Sequence, residues 1–199
     1  MANRNGKGSP EEQGGKFTGF SVIELLIVVA IVAVIAAIAI PNLLRSKVAA
    51  NEASAIGSLR GIMSAEAAYK AMYGIGYSND LASLAGTEDN GSGGGQPSCS
   101  AAQLLDAGLA KNVIDDKTHK SGYEFTFISG NEPFKPDQPV PSGCTVGKAD
   151  GYAVQADPVD SEAGKRHFCA DASGVVRVDD KRGIDVTSAA CAASAPALE

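Results

Sequence analysis

Residues Leu25 to Ile40 read LLIVVAIVAVIAAIAI, sixteen apolar side chains without interruption. With Phe20, Val22, Ile23, Leu43 and Leu44 the apolar stretch covers 25 residues, roughly 37 Å as a helix. That is long enough to cross a bilayer core of about 30 Å with some tilt. A core helix of a soluble protein is seldom apolar on every side for so long. The whole chain has 199 residues, room for this element and one modest domain but not for two large cores.

An ordinary secretory signal peptide is the rival explanation. It requires a basic n-region, a shorter apolar h-region and a small-residue cleavage site behind it. Arg4, Lys7 and Lys16 precede the run, and Ala37 and Ala39 supply an A-x-A pattern, although Pro41 follows closely. That model leaves Glu24 unexplained. A carboxylate just inside an apolar stretch is costly, though less so than the roughly 2.5–3.5 kcal/mol at a helix centre, because it lies near the interface. Either the side chain snorkels to the headgroups, or a cation pairs with it.

Residues Lys16 to Leu26 read KFTGFSVIELL. This segment resembles the class III signal of type IV prepilins and type II secretion pseudopilins. Their pattern is a short hydrophilic leader ending in Gly, then Phe, then Glu four residues beyond that Phe, then an apolar helix. The resemblance implies that a membrane-embedded prepilin peptidase cuts between Gly19 and Phe20 and that Phe20 becomes N-methylated. Gly19 offers an unhindered backbone to a protease. A cut on the cytoplasmic side leaves the apolar run on the mature chain. It also creates an α-amine that is mostly cationic at neutral pH. Phe20 and Glu24 stand at i and i+4, so a pair within one chain is open. In the family the Glu meets the amine of a neighbouring subunit, and both pairings remain open here. Pro41, followed by Asn42, matches a family Pro that kinks or locally melts the same helix. Ala33 stands where the family often has Gly.

The four cysteines lie at 99, 144, 169 and 191, none in a CxxC pair, with spacings of 45, 25 and 22 that suit no zinc site. An even count confined to the C-terminal half reads as two disulfides in an oxidising compartment. Three connectivities are possible. The resemblance to pilins implies Cys169–Cys191 as a C-terminal loop, which leaves Cys99–Cys144. Basic residues flank the apolar run on both sides, with Arg45, Lys47 and Arg60 after it, so the positive-inside rule barely discriminates. The orientation N-in, C-out follows from the cysteines and the resemblance. The net charge of −6 becomes −7 without residues 1–19, a sign that repels nucleic acid and anionic lipid.

Beyond the apolar run, Leu44, Val48, Ala55, Leu59, Ile62, Tyr69 and Tyr73 make a helical stripe that continues one helix from Phe20 to Tyr73. Glu52 and Glu66 interrupt the stripe, Glu66 and Lys70 form a favourable i,i+4 pair, and Gly57 and Gly61 read either as a place for close approach of a sheet or as a flexible point. Gly74 and Gly76 end the helix. Residues 86–97 read as a surface loop, and 100–112 as a short helix. Alternation predicts strands at 123–128, 151–156, 166–170 and 175–178, with Asp171–Gly174 as a hairpin turn. The expected fold class is therefore α+β: a long N-terminal helix packed on a small antiparallel sheet of about four strands. The organisation reads as leader 1–19, hydrophobic assembly helix 20–44, amphipathic helix 45–73 and globular region 74–199.

No catalytic or phosphate-binding motif occurs, and no metal or cofactor is expected. His119 reads as part of a solvated turn and His167 as a surface residue. The aspartates at 157, 160, 171, 179, 180 and 185 read as solubilising charge. The resemblance implies a non-enzymatic subunit of a type IV pilus, working in adhesion, twitching motility or DNA uptake. Its implied partners are other pilin subunits, the prepilin peptidase, an inner-membrane assembly platform and, before assembly, membrane lipid. Its implied location is the inner membrane, then the extracellular filament. The alternatives are a pseudopilin of a type II secretion system and a single-pass anchored domain that never polymerises.

Overall fold

The computed structural model describes residues 19–85, 96–105, 109, 117–148, 150–180, 183–187 and 189–198. The leader up to residue 18 and most of the expected 86–97 loop lie outside the described residues. The chain divides into two units, Met1–Asn42 and Leu43–Glu199.

Helix α1 runs from Val22 to Tyr73. It begins where Leu25 N donates to Ser21 O, with Glu24 in the first turn, where the helix dipole favours an acid. The helix continues through Pro41. Gly74 takes a left-handed φ of 62° just past its end and donates to Lys70 O, a C-terminal cap that a residue with a Cβ adopts less readily. In the second unit Ala55, Leu59, Ile62, Ala65 and Tyr69 are buried, and they share one core with Tyr123, Phe125, Val154 and Phe168. Burying each large side chain stabilises the fold by about 1.5–3 kcal/mol. Leu44 and Val48, at the head of the expected stripe, lie outside that core, and Leu44 is 54% exposed.

Five strands, β1 (Lys117–Lys120), β2 (Tyr123–Ser129), β3 (Tyr152–Pro158), β4 (His167–Asp171) and β5 (Val176–Asp179), form an antiparallel meander in chain order. The architecture is α+β, as the sequence predicts, with one strand more than expected. The missed strand, β1, is the polar KTHK segment, which carries no apolar alternation. Ser121 and Gly122, with φ of 51° and 77°, join it to β2 in a two-residue hairpin. A Cβ on Gly122 would meet that of Ala163 at 2.7 Å. The predicted 171–174 turn forms: Asp171 Oδ1 accepts from Ser173 N at 2.9 Å, and Gly174 N donates to Asp171 O.

The other sheet face is covered too. Ala153 and Cys169 join Ile184, Cys191 and Ala195 in a second small core. A short hairpin of β6 (Val186–Thr187) and β7 (Ala190–Cys191) lies there, held by Asp171 Oδ2, which accepts from Cys191 N at 2.9 Å. The tail runs along β5, with Val178 N donating to Pro196 O and Leu198 N to Val176 O, so that sheet edge is capped by the chain itself.

Two local expectations are corrected. Ser100–Leu105, the start of the expected 100–112 helix, is irregular; Leu109 is helical, and the rest of that range lies outside the described residues. The N–H groups of Ala102, Leu104 and Leu105 donate to the Ser83 and Leu84 carbonyls instead of forming a turn of their own. Those carbonyls end α2, a one-turn helix at Leu81–Ala85 that is capped by Asp80, whose Oδ1 accepts from Ser83 N at 2.7 Å. Gly57 and Gly61 do not admit the sheet. Both are exposed, and an added Cβ would meet nothing within 4 Å.

Candidate functional site

The functional features fall into an N-terminal segment and a set of polar anchors in the second unit. Gly19 and Phe20 are non-helical and exposed, directly ahead of α1. A peptide bond there is open to a protease, whereas one inside α1 would first need local unfolding. Phe20 is 80% exposed, and every Phe, Val, Ile and Leu from there to Leu44 is more than half exposed. By length and composition α1 is able to cross a membrane, and none of its most apolar window is buried. Glu24 makes no ion pair or hydrogen bond among the described residues, so its carboxylate stands free on this apolar surface.

Both cysteine pairs are bonded. Cys99–Cys144 and Cys169–Cys191 have Cα separations of 5.5 and 6.0 Å, the connectivity that the resemblance implies. The first ties the loop after α2 to the 141–147 segment beside it. The second fastens the C-terminal hairpin to β4 from the back of the sheet.

Glu52 and Glu66, which interrupt the stripe, are both buried. Glu52 Oε2 accepts from Arg166 Nε at 2.8 Å and lies 2.7 Å from Arg166 Nη2, while its Oε1 accepts from Lys165 N. Beside it Asn51 Nδ2 donates to Ala163 O at 2.8 Å. Together these fasten the 160–166 turn to α1.

Glu66 pairs with no cation among the described residues. Its oxygens accept from Ser78 Oγ at 2.5 Å and Ser78 N at 2.9 Å. Burial pushes its carboxyl up to about 7, and the Ser78 bonds only partly oppose this. The expected Glu66–Lys70 pair does not form. Lys70 Nζ instead sits 4.2 Å from the Tyr77 ring centroid, because Glu66 faces the core. Tyr69, whose hydroxyl donates to Cys99 O at 2.7 Å, is likewise raised to about 12 by burial.

The histidines are placed partly as expected, His119 being exposed and His167 lying on β4. His119 lies on β1 and not in a turn, exposed and 3.2 Å from Glu124. Lys117, bonded to the same carboxylate at 2.8 Å, holds Glu124 below its ordinary range. His167 is half-buried, with Nδ1 2.7 Å from Asp157 Oδ1. Asp160 and Asp171 hold turns, accepting from Ala163 N and Ser173 N, apart from the Asp157–His167 pair. Among the described residues no three His, Cys, Asp or Glu side chains gather as a metal site would require.

Near the start of the second unit, Leu44, Val48 and Ala49 of α1 face the 161–166 turn and Asp180 across an open cleft of about 630 Å³. Comparison with protein-family models, curated proteins and solved structures finds no match for this chain.

Proposed function

We propose that this chain is a structural, non-enzymatic subunit of a type IV pilus, made as a precursor and cut between Gly19 and Phe20. One observation carries the reading. Sixteen large apolar side chains between Phe20 and Leu44 are each more than half exposed. Their burial is worth about 1.5–3 kcal/mol apiece, so water does not tolerate the segment bare. Lipid covers it first and sister subunits cover it afterwards.

The mechanism follows from that exchange. Cleavage at the open Gly19–Phe20 bond frees an amine beside an apolar rod that carries one unpaired acid, Glu24. An assembly platform draws the rod from the inner membrane, where the chain sits N-in and C-out. In the filament the incoming subunit exchanges lipid contact for contact with neighbouring rods. Neutralising Glu24 against the α-amine of a neighbouring subunit removes two charges from a low-dielectric setting and selects one axial register. The disulfide-fastened second unit is left on the outside to meet surfaces, consistent with adhesion, twitching motility or DNA uptake.

The deciding experiment is intact-mass spectrometry of protein recovered from cells. The expected product begins at methylated Phe20. Protein that retains Met1 and stays dispersed in the membrane refutes the proposal and favours an anchored domain that does not polymerise. Glu24→Ala should leave cleavage intact and abolish fibres, so normal fibres from that variant would overturn the pairing. Deletion of the gene should remove surface fibres. Loss of protein secretion with fibres retained would instead indicate a type II secretion pseudopilin.

A further inference from the structure

The cleft between α1 and the 161–166 turn has a particular chemistry. Its helical wall is apolar, formed by Leu44, Val48 and Ala49, and its rim carries Arg45, Lys165, Glu162 and Asp180. None of these four side chains makes an ion pair or hydrogen bond among the described residues. The remaining charged pair in the wall, Glu52 and Arg166, is already satisfied at 2.7 Å. The site therefore presents two free cations and two free anions around an apolar floor, in a volume of about 630 Å³ that suits a small ligand.

We propose that this cleft seats the headgroup and glycerol region of a zwitterionic phospholipid carrying a primary ammonium. The lipid phosphate meets Arg45 and Lys165, the ammonium meets Glu162 and Asp180, and the upper acyl carbons lie on Leu44, Val48 and Ala49. The inference rests on the proposed membrane residence of residues 20–44. Leu44 follows Ile40 by four residues of α1, a rise of about 6 Å. The polar headgroup layer on each face is about 5–7 Å thick, so a cleft that starts at Leu44 is within reach of it. A purely anionic headgroup would set its phosphate against Glu162 and Asp180, whereas a zwitterion matches both signs. A second copy of this chain is a poorer occupant, because a stable protein interface buries about 800 Å² per partner, far more than this small recess offers.

The test uses the full-length precursor in nanodiscs that contain a photoactivatable phosphatidylethanolamine with a diazirine near the ester end of its acyl chain. Cross-linked peptides are mapped by mass spectrometry. Labelling is expected at residues 161–165 as well as along 25–40. Arg45→Gln with Lys165→Gln, and separately Glu162→Gln with Asp180→Asn, should each lower labelling of 161–165 at least fivefold and leave 25–40 unchanged. The matching phosphatidylglycerol probe should label 161–165 at least fivefold less. Labelling confined to 25–44, equal labelling by the two lipids, or a cross-link from 161–165 to a second copy overturns the site while the membrane reading stands. Absence of labelling at 25–40 as well would remove the membrane reading together with the site.

Discussion

Replacing Glu66 by Gln should make the second unit more stable in alkaline buffer and remove most of its pH dependence between about 5 and 8. The Glu66 carboxyl is raised from 4.5 to about 7 by burial, so the folded chain holds a proton there that the unfolded chain releases. The sign follows from proton counting: between those values the native state binds more protons, and stability falls as pH rises. At about 1.4 kcal/mol per pH unit the loss amounts to about 3 kcal/mol, complete above pH 7 and absent below 4.5. A neutral Gln carries no such penalty. Its carbonyl can still accept from Ser78 N. Its amide can donate to Ser78 Oγ once that hydroxyl turns to Asp80 O, which it already faces at 3.1 Å. Urea denaturation of the full chain in detergent micelles, with both disulfides oxidised, provides the measurement. At pH 8.5 the variant should exceed the parent by about 1–3 kcal/mol, which is about 2–4 °C in Tm for each kcal/mol. At pH 5 the two should converge. Parallel stability curves across the whole range would show that Glu66 carries no buried-charge penalty and would refute the reasoning.

Two further perturbations probe how the second unit is fastened. Arg166→Ala strands the Glu52 carboxylate, whose side chain is only 9% exposed; a loss of about 2–3 kcal/mol is expected by the same urea assay, less than for a fully enclosed pair because Arg166 is partly solvated. Removing a disulfide by paired Cys→Ala exchange should cost about 3 kcal/mol for Cys169–Cys191 and about 4 kcal/mol for the longer Cys99–Cys144 loop, read as a lower urea midpoint under oxidising conditions; an unchanged midpoint in either double variant would show that the bridge adds nothing to the folded state.

Several features were legible in residue order because their cause is local. The apolar run from Leu25 to Ile40 has one period-independent property, oiliness on every side, and no tertiary context changes it. Strands β2 to β5 show alternation between a helix-facing and a back face, and DASG has the chemistry of a turn. The Gly19–Phe20–Glu24 pattern is short enough to stand out by itself. Elements whose cause is distant were misread or missed. KTHK becomes β1 only because β2 offers it a ladder, and its polar side chains give no sign of this. Residues 100–105 lose helicity because their N–H groups are used by the end of α2.

What the sequence by itself determined is where this chain must avoid water: a 25-residue apolar stretch demands lipid or protein around it, since hydrophobicity is a property of composition. What only the tertiary structure decided is the fate of its charges. Glu52 and Glu66 look alike on the helix, yet one finds Arg166, 114 residues away, while the other meets the neutral Ser78. Lys70, four residues from Glu66, turns instead to the Tyr77 ring. The energy of a carboxylate depends on the dielectric and partners that distant segments supply, and those exist only once the chain has folded.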